Sequence, residues 1–178
     1  MSQSPSSPSE VGPVRELQQL DLPAMERLEQ LCSPLPWSEE MLRAELDRDP
    51  GCQLGVDVLV DTHPVLVGML LAARVADAWH LMNIAVEPAL QRTGLATRLM
   101  AAFVYRLGFD IEDVGCTLEV RVSNRPAIAL YERWDFEPCG IRPAYYANNR
   151  EDALIMWRPP VEVVRKRAAG QQVDWSHP

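Results

Sequence analysis

The segment from Trp79 to Leu107 changes period once, and that change restricts the fold more than any other feature of the chain. Trp79 to Val86 is an apolar, strand-like run that ends at Glu87-Pro88. A short loop, Ala89-Leu90-Gln91-Arg92-Thr93-Gly94, then leads straight into a helical pattern. Between Thr93 and Gly108 the residues Ala96, Leu99, Met100, Phe103 and Leu107 form one apolar stripe, with Arg98 and Arg106 off it. A strand that feeds a helix N-terminus presents unpaired backbone N–H groups and a partial positive charge at one point, which suits a phosphate anion. Gly94 lets the backbone approach such an anion, and Arg92 or Thr93 can add donors. The same residues also fit an ordinary strand–loop–helix junction with a surface arginine. Neither the dinucleotide fingerprint Gly-x-Gly-x-x-Gly nor the phosphate-loop Gly-Lys-Ser/Thr occurs.

The flanking elements define the class. Val14 to Leu17 reads as a short strand. Asp21 is a candidate N-cap for a helix to about Leu31, with Pro23 in its first turn. Ser38 starts a second helix with acids in its first turn and an apolar-leaning face of Met41, Leu42, Glu45 and Leu46. After the turn Asp49-Pro50-Gly51 come three strand-like runs, Gln53 to Val60, Val65 to Val75 and Trp79 to Val86, joined by gaps short enough for antiparallel hairpins. Beyond the central helix, Cys116 to Val122 alternates strictly: Cys116, Leu118, Val120 and Val122 share one face, and Thr117, Glu119 and Arg121 the other. Asn124 caps a further helix with the stripe Ala127, Leu130, Tyr131 and Trp134, and strands at Pro138 to Tyr146 and Asp152 to Trp157 close the core. This order predicts a mixed α/β domain built on one sheet.

The Ser/Pro-rich residues Met1 to Pro13 read as an unfolded tail, and the stretch from Pro159 as a C-terminal tail in which Val161, Val163 and Val164 could pack. The single domain is expected over Val14 to Arg158. With 47% hydrophobic and 24% charged residues there is material for a core. A net charge of -8 argues against a sequence-independent nucleic-acid binder. The one lysine, Lys166, lies in the C-terminal tail, so lysine catalysis is nearly excluded. There is no secretory signal and no run long enough to span a bilayer, and Cys32, Cys52, Cys116 and Cys139 have no metal-ligand spacing to His63, His80 or His177. Spacing alone leaves disulfides open; free thiols in a reducing cytoplasm are the expectation.

Gln91-Arg92-Thr93-Gly94-Leu95-Ala96, following Asn83-Ile84-Ala85-Val86-Glu87-Pro88, resembles the acyl-CoA loop of the GNAT N-acetyltransferase superfamily. Leu35-Pro36-Trp37-Ser38-Glu39, the block Leu118 to Asn124, Ala127 to Glu132, and Tyr145-Tyr146 followed by Arg150-Glu151-Asp152-Ala153 are similar to its RimI branch, which acetylates the N-terminal alanine of a small-subunit ribosomal protein. The resemblance covers Val14 to Arg158. It implies the GNAT fold, a central mixed, mostly antiparallel sheet flanked by helices. It also implies acetyl-CoA as co-substrate, no metal, and a protein or peptide N-terminus as partner; the composition adds the expectations of no direct nucleic acid, no membrane and a cytoplasmic location.

Residue by residue, the resemblance implies that Ile84, Ala85 and Val86 pair their backbone with the pantetheine arm. Arg92, Thr93, Gly94, Leu95, Ala96 and Thr97 would cradle the pyrophosphate, and Asn124 would hydrogen-bond near the thioester. Ala96 stands at the loop's last glycine, and Thr97 where relatives often carry a base. Glu119 falls at the general-base position and Tyr131 at the general-acid position; read without the resemblance, Glu119 could pair with Arg121 and Tyr131 could be a packed core tyrosine. Trp37, Tyr145 and Tyr146 would lie on the acceptor side, and the acidic charge fits a basic acceptor. The alternatives are acetylation of lysine side chains or small amines, a non-catalytic CoA-binding module, and an interaction domain without a ligand.

Overall fold

The long apolar run around Leu70 becomes an interior strand of the sheet, with both of its faces covered. Leu70 and Ala72 enter a core with Leu99, Met100 and Phe103, while Met69 and Leu71 enter a second core with Met25, Leu28 and Leu42. A strand buried on both sides has no solvent face, so its sequence has nothing to alternate with. The structure, a computed structural model, describes residues 10–108 and 114–160. Its strands are β1 (Val11–Glu16), β2 (Gly51–Val60), β3 (His63–Val75), β4 (Ala78–Val86), β5 (Cys116–Arg121), β6 (Glu137–Tyr146) and β7 (Glu151–Arg158). They form one sheet in the order β1-β2-β3-β4-β5-β7-β6. Every neighbouring pair is antiparallel except β4 with β5. The single sheet expected from the order of elements, and the mixed, mostly antiparallel pairing that the resemblance implied, are those observed.

The helices are α1 (Leu22–Cys32), α2 (Glu39–Leu46), α3 (Leu95–Leu107) and α4 (Arg125–Glu132). Leu42 of α2 joins Met25 and Leu28 of α1 in covering one face of the sheet. The apolar stripe of α3 and the inward residues of α4, Ile128, Leu130 and Tyr131, cover the other. Phe103 is fully buried and meets Trp79 edge to face, with ring centroids 6.5 Å apart. The strict alternation of β5 holds: Cys116, Leu118 and Val120 are buried on the α3–α4 side.

Three sequence expectations change in detail. β1 begins at Val11 rather than Val14, pairing Val11 with Val58 and Val14 with Val56. Asp21 occupies the N-cap of α1, but its carboxylate makes no side-chain cap bond. It is taken instead by the fork of Arg15, both of whose terminal nitrogens donate to it at 2.9 Å. A bidentate charged pair is stronger than one amide bond. Met41 lies half exposed, whereas its neighbour Leu42 is fully buried. Ser38 does cap α2, its hydroxyl accepting from the Met41 amide at 3.3 Å. All four cysteines are free thiols. Residues 1–9 and the segment containing Val161, Val163 and Val164 lie outside the described residues.

Replacing Phe103 by Ala leaves a void between α3 and the sheet, for which large-to-small core substitutions cost about 3–5 kcal/mol. Urea unfolding of Phe103→Ala should show a lower midpoint at an unchanged slope; an unchanged midpoint would contradict the packing described.

Candidate active site

The parallel pairing of β4 with β5 is confined to two positions, Trp79 opposite Cys116 and His80 opposite Thr117. Further along, the β5-facing edge of β4 has no strand partner among the described residues. A bulge accompanies the divergence: against β3, Leu71 faces Asn83 and Ala72 faces Leu81, so Met82 is the extra residue. A bulge bends its strand and re-aims the side chains after it. Asn83 accordingly faces α1, where its amide donates to Glu29 Oε1 at 2.6 Å, while Ile84 packs with the opposite core.

Two cavities occupy the gap, of about 460 and 730 Å³. Both are walled in part by Ile84 and Asn124. The smaller runs from Ile84 and Val86 to the loop before α3, with Arg92, Gly94, Leu95, Ala96 and Thr97 at its far end. The α3 ladder begins with the Arg98 amide donating to Gly94 O at 3.0 Å, so the amides of Leu95, Ala96 and Thr97 have no acceptor within the helix. Gly94 has φ of +94°, and a Cβ built there would meet nothing within 4 Å, so the N-terminus of α3 faces open space. Arg92 and Arg133 supply the cationic side chains of this cavity, where Thr97 has none. Thr93 does not line it; its hydroxyl donates back to Leu90 O at 2.7 Å. The Val86 carbonyl accepts from the Gln91 side-chain Nε2 at 3.2 Å and from the Cys32 thiol at 3.3 Å.

The larger cavity joins Trp37 and Ala85 from one side to Glu119, Arg121, Tyr131, Tyr145 and Tyr146 from the other. Tyr131 comes from the α4 face of the sheet and Glu119 from the opposite face, and only the gap between β4 and β5 lets them border one space. Asn124 caps α4, its Oδ1 accepting from the Ala127 amide at 3.2 Å, which leaves its NH₂ group available at the junction of the cavities.

Glu119 does not pair with Arg121. Its Oε2 lies 2.6 Å from His80 Nε2, which places the ring proton on that nitrogen, and its Oε1 lies 3.2 Å from Arg142. The His80 hydrogen bond, with the charges of His80 and Arg142, holds the Glu119 carboxyl below the usual carboxylate range despite burial. Burial pushes the Tyr131 phenol well above the usual tyrosine range, so it keeps its proton at neutral pH. Tyr146 is pushed up to about 12, again mainly by burial.

Sequence reasoning missed His80, Arg142 and Glu29. Glu29 is buried on α1; its Oε2 accepts from the Trp37 amide at 3.1 Å while Oε1 takes Asn83. One carboxylate thereby ties the segment before α2 to the bulge of β4. A lone acid among the buried positions of an amphipathic helix was the available signal, since such acids are rarely buried without partners.

The arrangement combines an anion-accepting helix terminus, a narrow apolar passage, and a wider chamber with a charged carboxylate and a protonated phenol. The Acetyltransferase (GNAT) family matches residues 22–136 of the chain. The chain is 34% identical over 151 residues to the ribosomal protein bS18-alanine N-acetyltransferase of Escherichia coli strain K12, covering 82% of this chain and 96% of that protein. The crystal structure of the ribosomal-protein-S18-alanine N-acetyltransferase from Escherichia coli superposes with a TM-score of 0.73 at 29% identity, covering 95% of this chain and 99% of that one. Arabidopsis thaliana NAA60 in complex with acetyl-CoA superposes with a TM-score of 0.67 at 18% identity, covering 84% and 99%.

Because the folded pKa of Glu119 lies below its ordinary value, the stability it contributes is fully present above the usual carboxylate range and is lost as pH falls through the depressed value. His80→Ala removes the largest cause of that shift. Carboxyl NMR of the variant should show Glu119 titrating at higher pH than in the wild type. The stability gap between the two should narrow as pH falls from about 5 to about 3; a gap that widens toward acid would contradict the pairing.

Proposed function

This chain belongs to the acetyltransferase (GNAT) family and is an N-acetyltransferase, and on that footing we propose that it acetylates the α-amine of a protein N-terminus, with acetyl-CoA as donor and an alanine-starting small-subunit ribosomal protein as acceptor. The observation that carries the reading is the meeting of Glu119, Asn124 and Tyr131 at the β4–β5 gap, between the free amides of α3 and the tyrosines of the β6–β7 hairpin. The identity to the bS18-alanine N-acetyltransferase supports the acceptor class. The acetyl-CoA bound to NAA60, which has the same fold, supports the donor.

The residues present fit a coenzyme A thioester. The Leu95, Ala96 and Thr97 amides offer donors to a pyrophosphate, with Arg92 and Arg133 adding charge. Ile84, Ala85 and Val86 line the passage from that end toward Asn124 and would border the thioester's arm. The bound thioester supplies the activated acetyl group.

The chain's own residues handle the acceptor and its protons. Glu119 stays ionised at neutral pH and accepts a hydrogen bond from the incoming amine, directly or through one water. As a weak base it takes the proton once the nitrogen has been acidified by bonding to the acyl carbon. Tyr131 keeps its proton until the sulfur leaves and donates it there. Trp37, Tyr145 and Tyr146 enclose the acceptor end, and a net charge of -8 favours a basic N-terminal segment.

Incubating an alanine-starting ribosomal peptide with acetyl-CoA should add one acetyl group, which fragmentation places on the α-amine. Acetyl found only on a lysine side chain, or no mass gain from a folded sample, would overturn the acceptor. Glu119→Gln and Tyr131→Phe should each lower kcat about 100-fold or more while leaving the KM for acetyl-CoA within about twofold.

A further inference from the structure

Arg121 ends β5 and borders the chamber, yet its guanidinium touches neither Glu119 nor Tyr131; it turns to the β6–β7 hairpin. Nη1 donates to Glu151 Oε2 at 2.9 Å and to Asn149 Oδ1 at 3.0 Å, and Nη2 donates to Asn148 Oδ1 at 3.0 Å. The guanidinium plane lies over the Tyr146 ring, 3.8 Å from its centroid. Glu151 is itself held from below, its Oε1 accepting from the Ser123 amide at 3.0 Å. The Arg121 side chain is only 17% exposed.

The hairpin needs such a clamp. The β6–β7 ladder shifts register between Arg142 and Tyr146, so regular pairing lapses over residues 143–145 and resumes only where Tyr146 meets Glu151. Ala144 and Arg150 have φ of +51° and +56°, a strained conformation for residues with side chains. Tyr145 packs against Tyr146 edge to face at 5.1 Å, so the placement of one tyrosine sets that of the other. Glu119 and Arg121 project from the same face of one strand, about 7 Å apart along it. Any change in the hairpin's position is therefore a change relative to the carboxylate that receives the acceptor's proton.

Building on the acceptor reading above, we propose that Arg121 is a positioning residue for acceptor selection: by clamping Glu151, Asn148, Asn149 and Tyr146 it holds the hairpin in the shape that receives a peptide N-terminus. It touches no reacting atom, so its removal acts on acceptor affinity before it acts on chemistry.

Steady-state kinetics and hydrogen exchange of the full chain test this with Arg121→Ala and the charge-keeping Arg121→Lys. In Arg121→Ala the KM for the alanine-starting peptide should rise about tenfold or more, with kcat and the KM for acetyl-CoA each changed less than about threefold. Arg121→Lys should fall between, because an ammonium cannot reproduce the fork. Amides of residues 144–151 should exchange faster in Arg121→Ala while those of α3 do not. A fall in kcat at unchanged peptide KM, or uniformly faster exchange across the domain, would overturn the proposal by showing a catalytic or general structural role. A wild type that leaves the peptide unmodified overturns the acceptor class itself, and hairpin exchange that is the same in wild type and variant overturns the clamp.

Discussion

The site depends on a pairing that stops. β4 and β5 share two residue pairs and then diverge, so a sheet that is continuous at Trp79 and His80 is open at Ile84. Three things keep it from closing. The Met82 bulge bends β4, α4 brings its capped N-terminus to the gap, and Glu29 binds both Asn83 and the Trp37 amide on the far side of β4. The unpaired edge that results exposes backbone donors and acceptors, which ordinarily invites another strand. Here that liability coincides with the passage proposed for the thioester arm.

The split also explains how a protonated phenol and an ionised carboxylate coexist in a small chamber. Tyr131 reaches it from a fully apolar core, which keeps its phenol protonated. Glu119 reaches it from the opposite face, beside His80 and Arg142, which keeps its carboxyl ionised. In an uninterrupted sheet the strands would separate the two groups. The environments that set their protonation states are those of the two faces, with the gap as their meeting point.

Much of this was legible in the sequence because periodicity reports which face a residue occupies. The alternation of β5 put Glu119 opposite the core, and the stripes of α3 and α4 put Phe103 and Tyr131 on it. Periodicity does not report what lies across a gap in the chain. Arg121 looked like the natural partner of Glu119 because the two share a face, but each found a partner from a distant segment: His80 and Arg142 for the acid, Glu151 and two asparagines for the base. The same blindness hid Glu29, and it hid the loss of the Asp21 cap to Arg15. The start of β1 was misplaced because Gly12 and Pro13 read as tail, whereas Arg98 donates to Gly12 O at 2.8 Å and β2 offers a ladder.

The basic partner in the side-chain ion pairs described here is an arginine in every case but that of His80. Arginine suits these positions because one fork can hold several acceptors, as Arg15 holds Asp21 and Asp57 and Arg27 holds Glu87 and the Leu66 carbonyl. There is a chemical corollary for an enzyme that moves acyl groups. A guanidinium stays protonated in proteins and is no nucleophile, whereas a lysine ε-amine beside an activated thioester is a competing acceptor. Because residues 10–108 and 114–160 contain no lysine, the charges that brace the cleft offer an acyl donor no side-chain amine of their own to modify.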